Sequence, residues 1–205
     1  MIGLLMKDIL NLRKQGKVLG LLFVFYLVMA LSSDNPYMFL SIVSLLMVML
    51  TMTSMAYDER SHWERYALTM PVSRKTLVLS KYLLGFLLML AAGLLNILFL
   101  LIVSKETIAE SVVYTLGVMG IALFFMSLIL PILFRYGVEK GRLLMMAVLF
   151  TPTLLVVLGA RMGLIIPEVP QVKPIMVGMF LALLVLLVAL SSILLSVKIF
   201  ENKAL

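Results

Sequence analysis

The sequence predicts an all-α integral membrane protein, on three observations. Hydrophobic residues make up 63% of the 205 and charged residues only 13%, against about 45–50% and about 25% in average soluble domains. The apolar residues gather into six runs, approximately 18–32, 37–57, 78–103, 112–134, 143–160 and 175–199. A helix of roughly 17–25 residues crosses a bilayer, so all but the first run qualify outright. Period-two alternation is absent from these runs, which argues against a β-barrel. The expected architecture is six transmembrane helices, an N-terminal amphipathic interfacial helix and a short cytoplasmic helix between the second and third spans. All of it belongs to one domain over residues 1–205.

Residues 1–17 read as the interfacial helix. Leu5, Ile9 and Leu12 share one helical face, and Lys7, Asn11 and Lys14 another, as in a helix lying in the membrane plane. The first span is short and borrows flanking residues or sits where the bilayer thins. A signal peptide is the rival reading, since Ala30-Leu31-Ser32 loosely resembles a cleavage site, but its apolar core starts late for one. Every Lys and Arg except Lys105, Arg161 and Lys173 falls in segments that share one side with the N-terminus. By the positive-inside rule that side is the cytoplasm, with both termini in it. The spans carry no Asp, Glu, Lys or Arg in their central parts. Lys81, near an inner end, is expected to snorkel toward the headgroups.

The stretch from Tyr57 to Tyr82 is the longest charged interval between two apolar runs. Ser61 and Glu64 have the S-x-x-E spacing of a capping box. Trp63, Tyr66, Ala67 and Met70 then recur at i, i+3, i+4 and i+7, one apolar stripe. His62, Arg65 and Thr69 lie on another face. Pro71 disfavours helical geometry at Met70, so the helix is expected to stop there. A short helix parallel to the membrane results, with a polar face for a soluble partner. A plain amphipathic turn at headgroup level fits the same pattern.

Polar residues within the spans are mild. Ser41, Ser44, Thr51 and Ser54 fall within about 140° of arc on the second span, at 100° per residue. They line a pathway or bond to a neighbouring helix, as Asn96 in the third span is also expected to do. Pro152, between Thr151 and Thr153, is expected to kink the fifth span. The 17 Met suit a surface that accepts varied apolar ligands, and equally the packing of membrane helices.

Several functions are disfavoured. Without Cys the chain has no disulfide, thiolate metal site or Cys nucleophile, and a single His makes a histidine metal site improbable. No catalytic, cofactor-binding or metal-binding residue is expected. The formal charge of +7 does not indicate nucleic acid, because the basic residues flank apolar runs. With no charge at mid-span, a proton- or sodium-coupled transporter lacks its coupling residue. The chain also carries no P-loop of its own, and no paired carboxylates for an intramembrane hydrolase.

Pro71-Val72-Ser73-Arg74, followed by Val78 and Ser80-Lys81-Tyr82, resembles the signature of ABC-2 type transporter permeases. Asp58-Glu59-Arg60 and Trp63 ahead of it also match, with Met70 where the family usually has Leu. The resemblance implies a non-catalytic membrane subunit, paired with a second copy or a paralogue in the plasma membrane. Each copy docks a separate ABC ATPase subunit, which binds the ATP and Mg. It further implies that residues 61–70, within a cytoplasmic coupling segment 58–75, form the coupling helix. Trp63 and Tyr66 would anchor that helix. Asp58, Glu59, Arg60, His62 and Arg65 would contact the ATPase, with Pro71 ending the helix and Arg74 holding the turn into the third span. Small Gram-positive permeases of this type include exporters of amphipathic peptides, toxins and bacteriocins among them. A non-transporting membrane scaffold or immunity protein is the alternative.

Overall fold

The computed structural model describes residues 1–32, 37–103, 107–161 and 174–203. Among these the regular structure is helical, in the order α1 (Ile2–Arg13), α2 (Gly16–Ser32), α3 (Tyr37–Arg60), α4 (Trp63–Thr69), α5 (Arg74–Val103), α6 (Ile108–Arg161) and α7 (Pro174–Glu201). Four stretches are long and apolar enough to cross a membrane: Tyr37–Arg60, Arg74–Val103, Ile108–Leu144 and Phe180–Glu201. The α1–α2 pair, bent by 67°, makes a fifth. The six separate spans expected from the sequence are thus four or five by length and composition. The expected outer loop at 161–173 lies almost entirely outside the described residues.

The difference in count arises in α6. It joins the fourth and fifth apolar runs in 54 residues. A straight helix of that length would extend about 80 Å, far beyond a hydrocarbon core of about 30 Å. The chain is not straight. Gly137 breaks it at φ 80°, ψ 173°. A Cβ placed on Gly141 would lie 3.7 Å from the Cα of Leu133, whereas eight residues of straight helix span about 12 Å. The chain therefore turns back on itself at Gly137, and α6 is two arms of a tight reversal. The interruption inside α6 falls at this glycine and not at Pro152, through which the helix continues. The side chains of Pro152 and Thr153 lie outside the described residues. Thr151 donates to the carbonyl of Ala147, one turn back, at 2.6 Å.

The α3, α5, α6 and α7 helices build the main core around Val78, Met89, Leu130, Leu133 and Phe200. A second cluster, with Phe39 stacked on Phe99 at 4.1 Å, closes α2 against α3 and α5. The α2 and α7 helices are apolar all round and leave Leu21, Phe25, Leu183, Leu187 and Leu194 exposed, as befits helices that face lipid.

Polar groups inside the bundle tie helices together. Asn96, fully buried, donates to Ser44 Oγ at 3.2 Å and to the Leu40 carbonyl at 3.4 Å. The Tyr82 hydroxyl lies 2.6 Å from Ser192 Oγ and 2.8 Å from Ser196 Oγ. Ser192 gives its own proton to the Ser127 carbonyl. Tyr82 therefore donates to Ser192 and accepts from Ser196, linking α5, α6 and α7. Tyr82→Phe removes both bonds and is expected to lower stability in detergent by about 1 kcal/mol, at an average of about 0.6 kcal/mol for each interhelical hydrogen bond in a membrane. A thermal-shift series would measure it.

Candidate functional site

The α4 helix lies between α3 and α5, and its entry differs from the expected one. Ser61 N–H already bonds to the Tyr57 carbonyl at 3.1 Å, and Ser61 Oγ donates to the same carbonyl at 2.9 Å. Ser61 is thus the last turn of α3, so it cannot be the extended N-cap that a capping box requires. His62 occupies the N-cap in the left-handed region, φ 50°, without a side-chain cap. A true capping box opens α6 instead. There Glu110 accepts from the Thr107 N–H at 3.1 Å, and Thr107 Oγ1 accepts from the Glu110 N–H at 3.4 Å. The other end of α4 agrees with expectation. Met70, ahead of Pro71, adopts extended geometry (φ −90°, ψ 162°) and ends the helix.

One side of α4 is held down. Ala67 is buried. The Trp63 ring is half-buried, with Lys7 Nζ 4.6 Å from its centroid, a cation–π contact to α1. Glu64, freed from capping, pairs with Lys203 at 3.0 Å. The opposite side is open: His62, Arg65, Tyr66, Thr69, Met70 and Pro71 are exposed. The expected stripe of Trp63, Tyr66, Ala67 and Met70 is therefore split, with Tyr66 and Met70 facing outward.

Beneath Trp63 sits a cluster of four charges. Lys81 Nζ lies 2.9 Å from both oxygens of Asp8, 2.6 Å from Asp58 Oδ2 and 2.8 Å from Ser54 Oγ. Lys7 Nζ lies 2.5 Å from Asp58 Oδ1 and 3.0 Å from Asp8 Oδ1. Asp8 is 1% exposed, and Asp58 and Lys81 6% each. Two cations balance two anions, the condition under which buried charge is tolerated. The cluster joins α1, α3 and α5 and borders a cavity of about 30 Å³ that Trp63 also lines.

Two expectations change here. Lys81 does not snorkel outward, because two carboxylates inside the bundle hold it. Asp58, expected to meet a partner, is turned inward by Lys7 and Lys81. Asp8 stands outside the residues that charge and apolar pattern single out. Its signal is positional: Leu4, Asp8 and Leu12 stand at i, i+4 and i+8 on one face of α1. That face is buried, while Ile9 of the expected stripe is 50% exposed.

The remaining predicted residues divide between structural ties and open surface. Glu59 accepts from the Val138 N–H at 2.6 Å. This places a carboxylate at the start of the helical arm after Gly137, where the free amides and the helix dipole favour an anion. Arg74 was expected to hold the turn into the third span. Its Nη1 instead donates to the carbonyls of Phe200, Glu201 and Lys203 at 3.2, 2.6 and 3.0 Å, capping the end of α7. Arg60 is exposed. Of the span polar residues, Ser44, Thr51 and Ser54 are 1% exposed each and face neighbouring helices. Ser41 is exposed and bonds back to the Tyr37 carbonyl at 3.3 Å.

A small helix presents one open face and is tied through its other face to α1, to the end of α7 and, over the charge cluster, to α3 and α5. Comparison with known proteins agrees in kind. A family model described as "ABC-2 family transporter protein" matches residues 3–201. No curated protein and no solved structure matches the chain. Members of that family are membrane components of transporters that generally work with an ABC ATPase. The match runs from the helix that brings Asp8 to the end of α7, so the chain belongs to the ABC-2 family of transporter proteins and is a multi-pass membrane permease of an ABC transporter.

Proposed function

We propose that the chain is the membrane subunit of an ATP-driven exporter and that α4 is its coupling helix. It works as a dimer, with itself or a paralogue, in the plasma membrane. Both termini and α4 face the cytoplasm, and six spans cross the bilayer once the two arms of α6 count separately. A partner ATPase binds ATP and Mg. When the ATPases close, they press on His62, Arg65 and Tyr66. Trp63 and the Glu64–Lys203 pair pass the load to α1 and α7. The charge cluster passes it on to α3 and α5. The cargo is amphipathic or hydrophobic, antimicrobial or toxin peptides being the candidate class.

The observation that carries this reading is the two-sidedness of α4, open to a partner on one face and tied on the other to α1, to the end of α7 and, over the charge cluster, to α3 and α5. The Arg65 side chain is exposed and makes no hydrogen bond or ion pair among the described residues. Arg65→Glu in the reconstituted permease–ATPase complex is therefore expected to reduce the permease-stimulated part of ATP hydrolysis about 10-fold. Membrane insertion and thermal stability should stay at wild-type values. Full stimulation by the variant would remove α4 from the coupling role. Purification without any ATP-binding chain would favour the scaffold or immunity alternative.

A further inference from the structure

The bend between α1 and α2 gathers positive charge that nothing in the fold answers. Arg13, Lys14 and Lys17 stand within five residues across it. All three are exposed, and their side chains make no hydrogen bond or ion pair among the described residues. The α1 and α2 helices pack on α3 and α5, and the acids of these four helices are Asp8, Asp58 and Glu59. Asp8 and Asp58 balance Lys7 and Lys81. Glu59 bonds to Val138 and stands about 200° round α3 from Tyr57, at 100° per residue. Tyr57 is the residue that meets the bend, its hydroxyl accepting from Gln15 Nε2 at 3.3 Å. That hydroxyl makes no other hydrogen bond among the described residues, so its own proton is available to an acceptor. On α1, Arg13 shares about 100° of arc with Ile2, Met6, Ile9 and Leu10, each at least half exposed. The free cations thus continue an apolar face.

We propose that this bend is a binding site for an anionic phospholipid, its phosphate held among Arg13, Lys14 and Lys17 with the Tyr57 hydroxyl as a further donor. The chain turns by 67° here, from a helix with one exposed apolar face to one that is apolar all round. A helix lying on the bilayer meets a helix entering it at headgroup depth, so the three cations stand where lipid phosphates are. Guanidinium and ammonium groups both bind phosphate, the first bidentately and the second as a point charge. A zwitterionic headgroup brings its own cation and leaves the excess charge of the bend unanswered. An anionic one neutralises it. A soluble acidic protein would answer the charge but not the apolar face beside it, which acyl chains cover. A bound lipid would pin the bend, and with it the depth at which α1 carries Asp8 to the charge cluster. The proposal does not depend on the coupling role of α4.

The test uses the full-length permease in mixed micelles holding equal amounts of phosphatidylglycerol and phosphatidylcholine, with native mass spectrometry to count the lipids retained. Each basic residue at an anionic surface favours binding about 5-fold. Wild type is therefore expected to retain phosphatidylglycerol over phosphatidylcholine by about 10-fold or more. The triple variant Arg13→Gln, Lys14→Gln, Lys17→Gln should retain the two about equally, at wild-type thermal stability in phosphatidylcholine. Should the triple variant fail to fold, each single substitution is expected to lower the preference about two- to five-fold. As a control, Arg60→Gln, Lys140→Gln and Arg142→Gln together remove the same charge from another surface and should leave the preference intact. An unchanged preference in the bend variants, or its loss in the control, would overturn the proposal. Inorganic phosphate should not displace the retained lipid, and displacement would reassign the bend to a soluble anion. A triple variant that keeps its lipid but no longer binds the ATPase would reassign it to a protein partner.

Discussion

Lys81→Met is expected to destabilise the folded protein by about 3–5 kcal/mol, the cost of breaking a buried ion pair from one side. The substitution keeps an unbranched side chain one heavy atom shorter and removes its charge. Asp8 and Asp58 then share Lys7 alone, and a net negative charge remains where Asp8 is 1% exposed. Ser54 Oγ also loses its donor. The second half of the prediction separates charge from packing. Adding Asp8→Asn to Lys81→Met leaves one cation and one anion, Lys7 and Asp58, 2.5 Å apart. That double variant should recover more than half of the lost stability, although it carries two substitutions instead of one. Thermal unfolding in detergent, or resistance to SDS, would show the order wild type, double variant, single variant. A single variant as stable as wild type, or a double variant no better than the single, would mean that the four charges are not coupled.

The second large effect is expected at Gly137. Its backbone, φ 80° and ψ 173°, lies in a region essentially reserved for glycine, where another residue costs about 1–3 kcal/mol. A Cβ there would also stand 2.5 Å from Glu59 Oε1. Gly137→Ala must therefore displace the carboxylate from the Val138 N–H, losing a hydrogen bond to a charged group worth about 1.5–3 kcal/mol. The two costs together give an expected loss of about 2.5–6 kcal/mol. In a Glu59→Ala background the steric part disappears and the backbone part remains. A double-mutant cycle should then show Gly137→Ala costing less in that background than in wild type. Equal costs would show that the carboxylate does not press on the glycine, and no cost in either would remove the strain.

Local pattern was sufficient for much of this protein. Hydropathy located every apolar run that became a helix, since a membrane helix satisfies its backbone within its own segment. Pro71 placed the end of α4, because proline acts on the residue next to it. Local pattern failed where spacing fits two partners. Ser61-x-x-Glu64 and Thr107-x-x-Glu110 both fit the S/T-x-x-E pattern, yet only the second forms a capping box. Ser61 was already consumed by the last turn of α3, and Glu64 was drawn to Lys203, 139 residues away. Asp8 was overlooked because an acid beside Lys7 looks solvated until α5 brings Lys81 against it. A reversal between residues 134 and 143 follows from the two apolar runs, but not that Gly137 carries it. That segment holds both Gly137 and Gly141, and which of them takes the turn depends on what packs against it.

The amino-acid order alone determined that the chain lives in a bilayer and where a small surface helix begins to be possible, since hydropathy and charge act residue by residue. The tertiary structure decided which of those charges would look inward. Lys81 meets Asp8 across 73 residues of chain, and Glu59 meets Val138 across 79. A buried charge takes its energy from the groups that surround it and not from its neighbours along the chain.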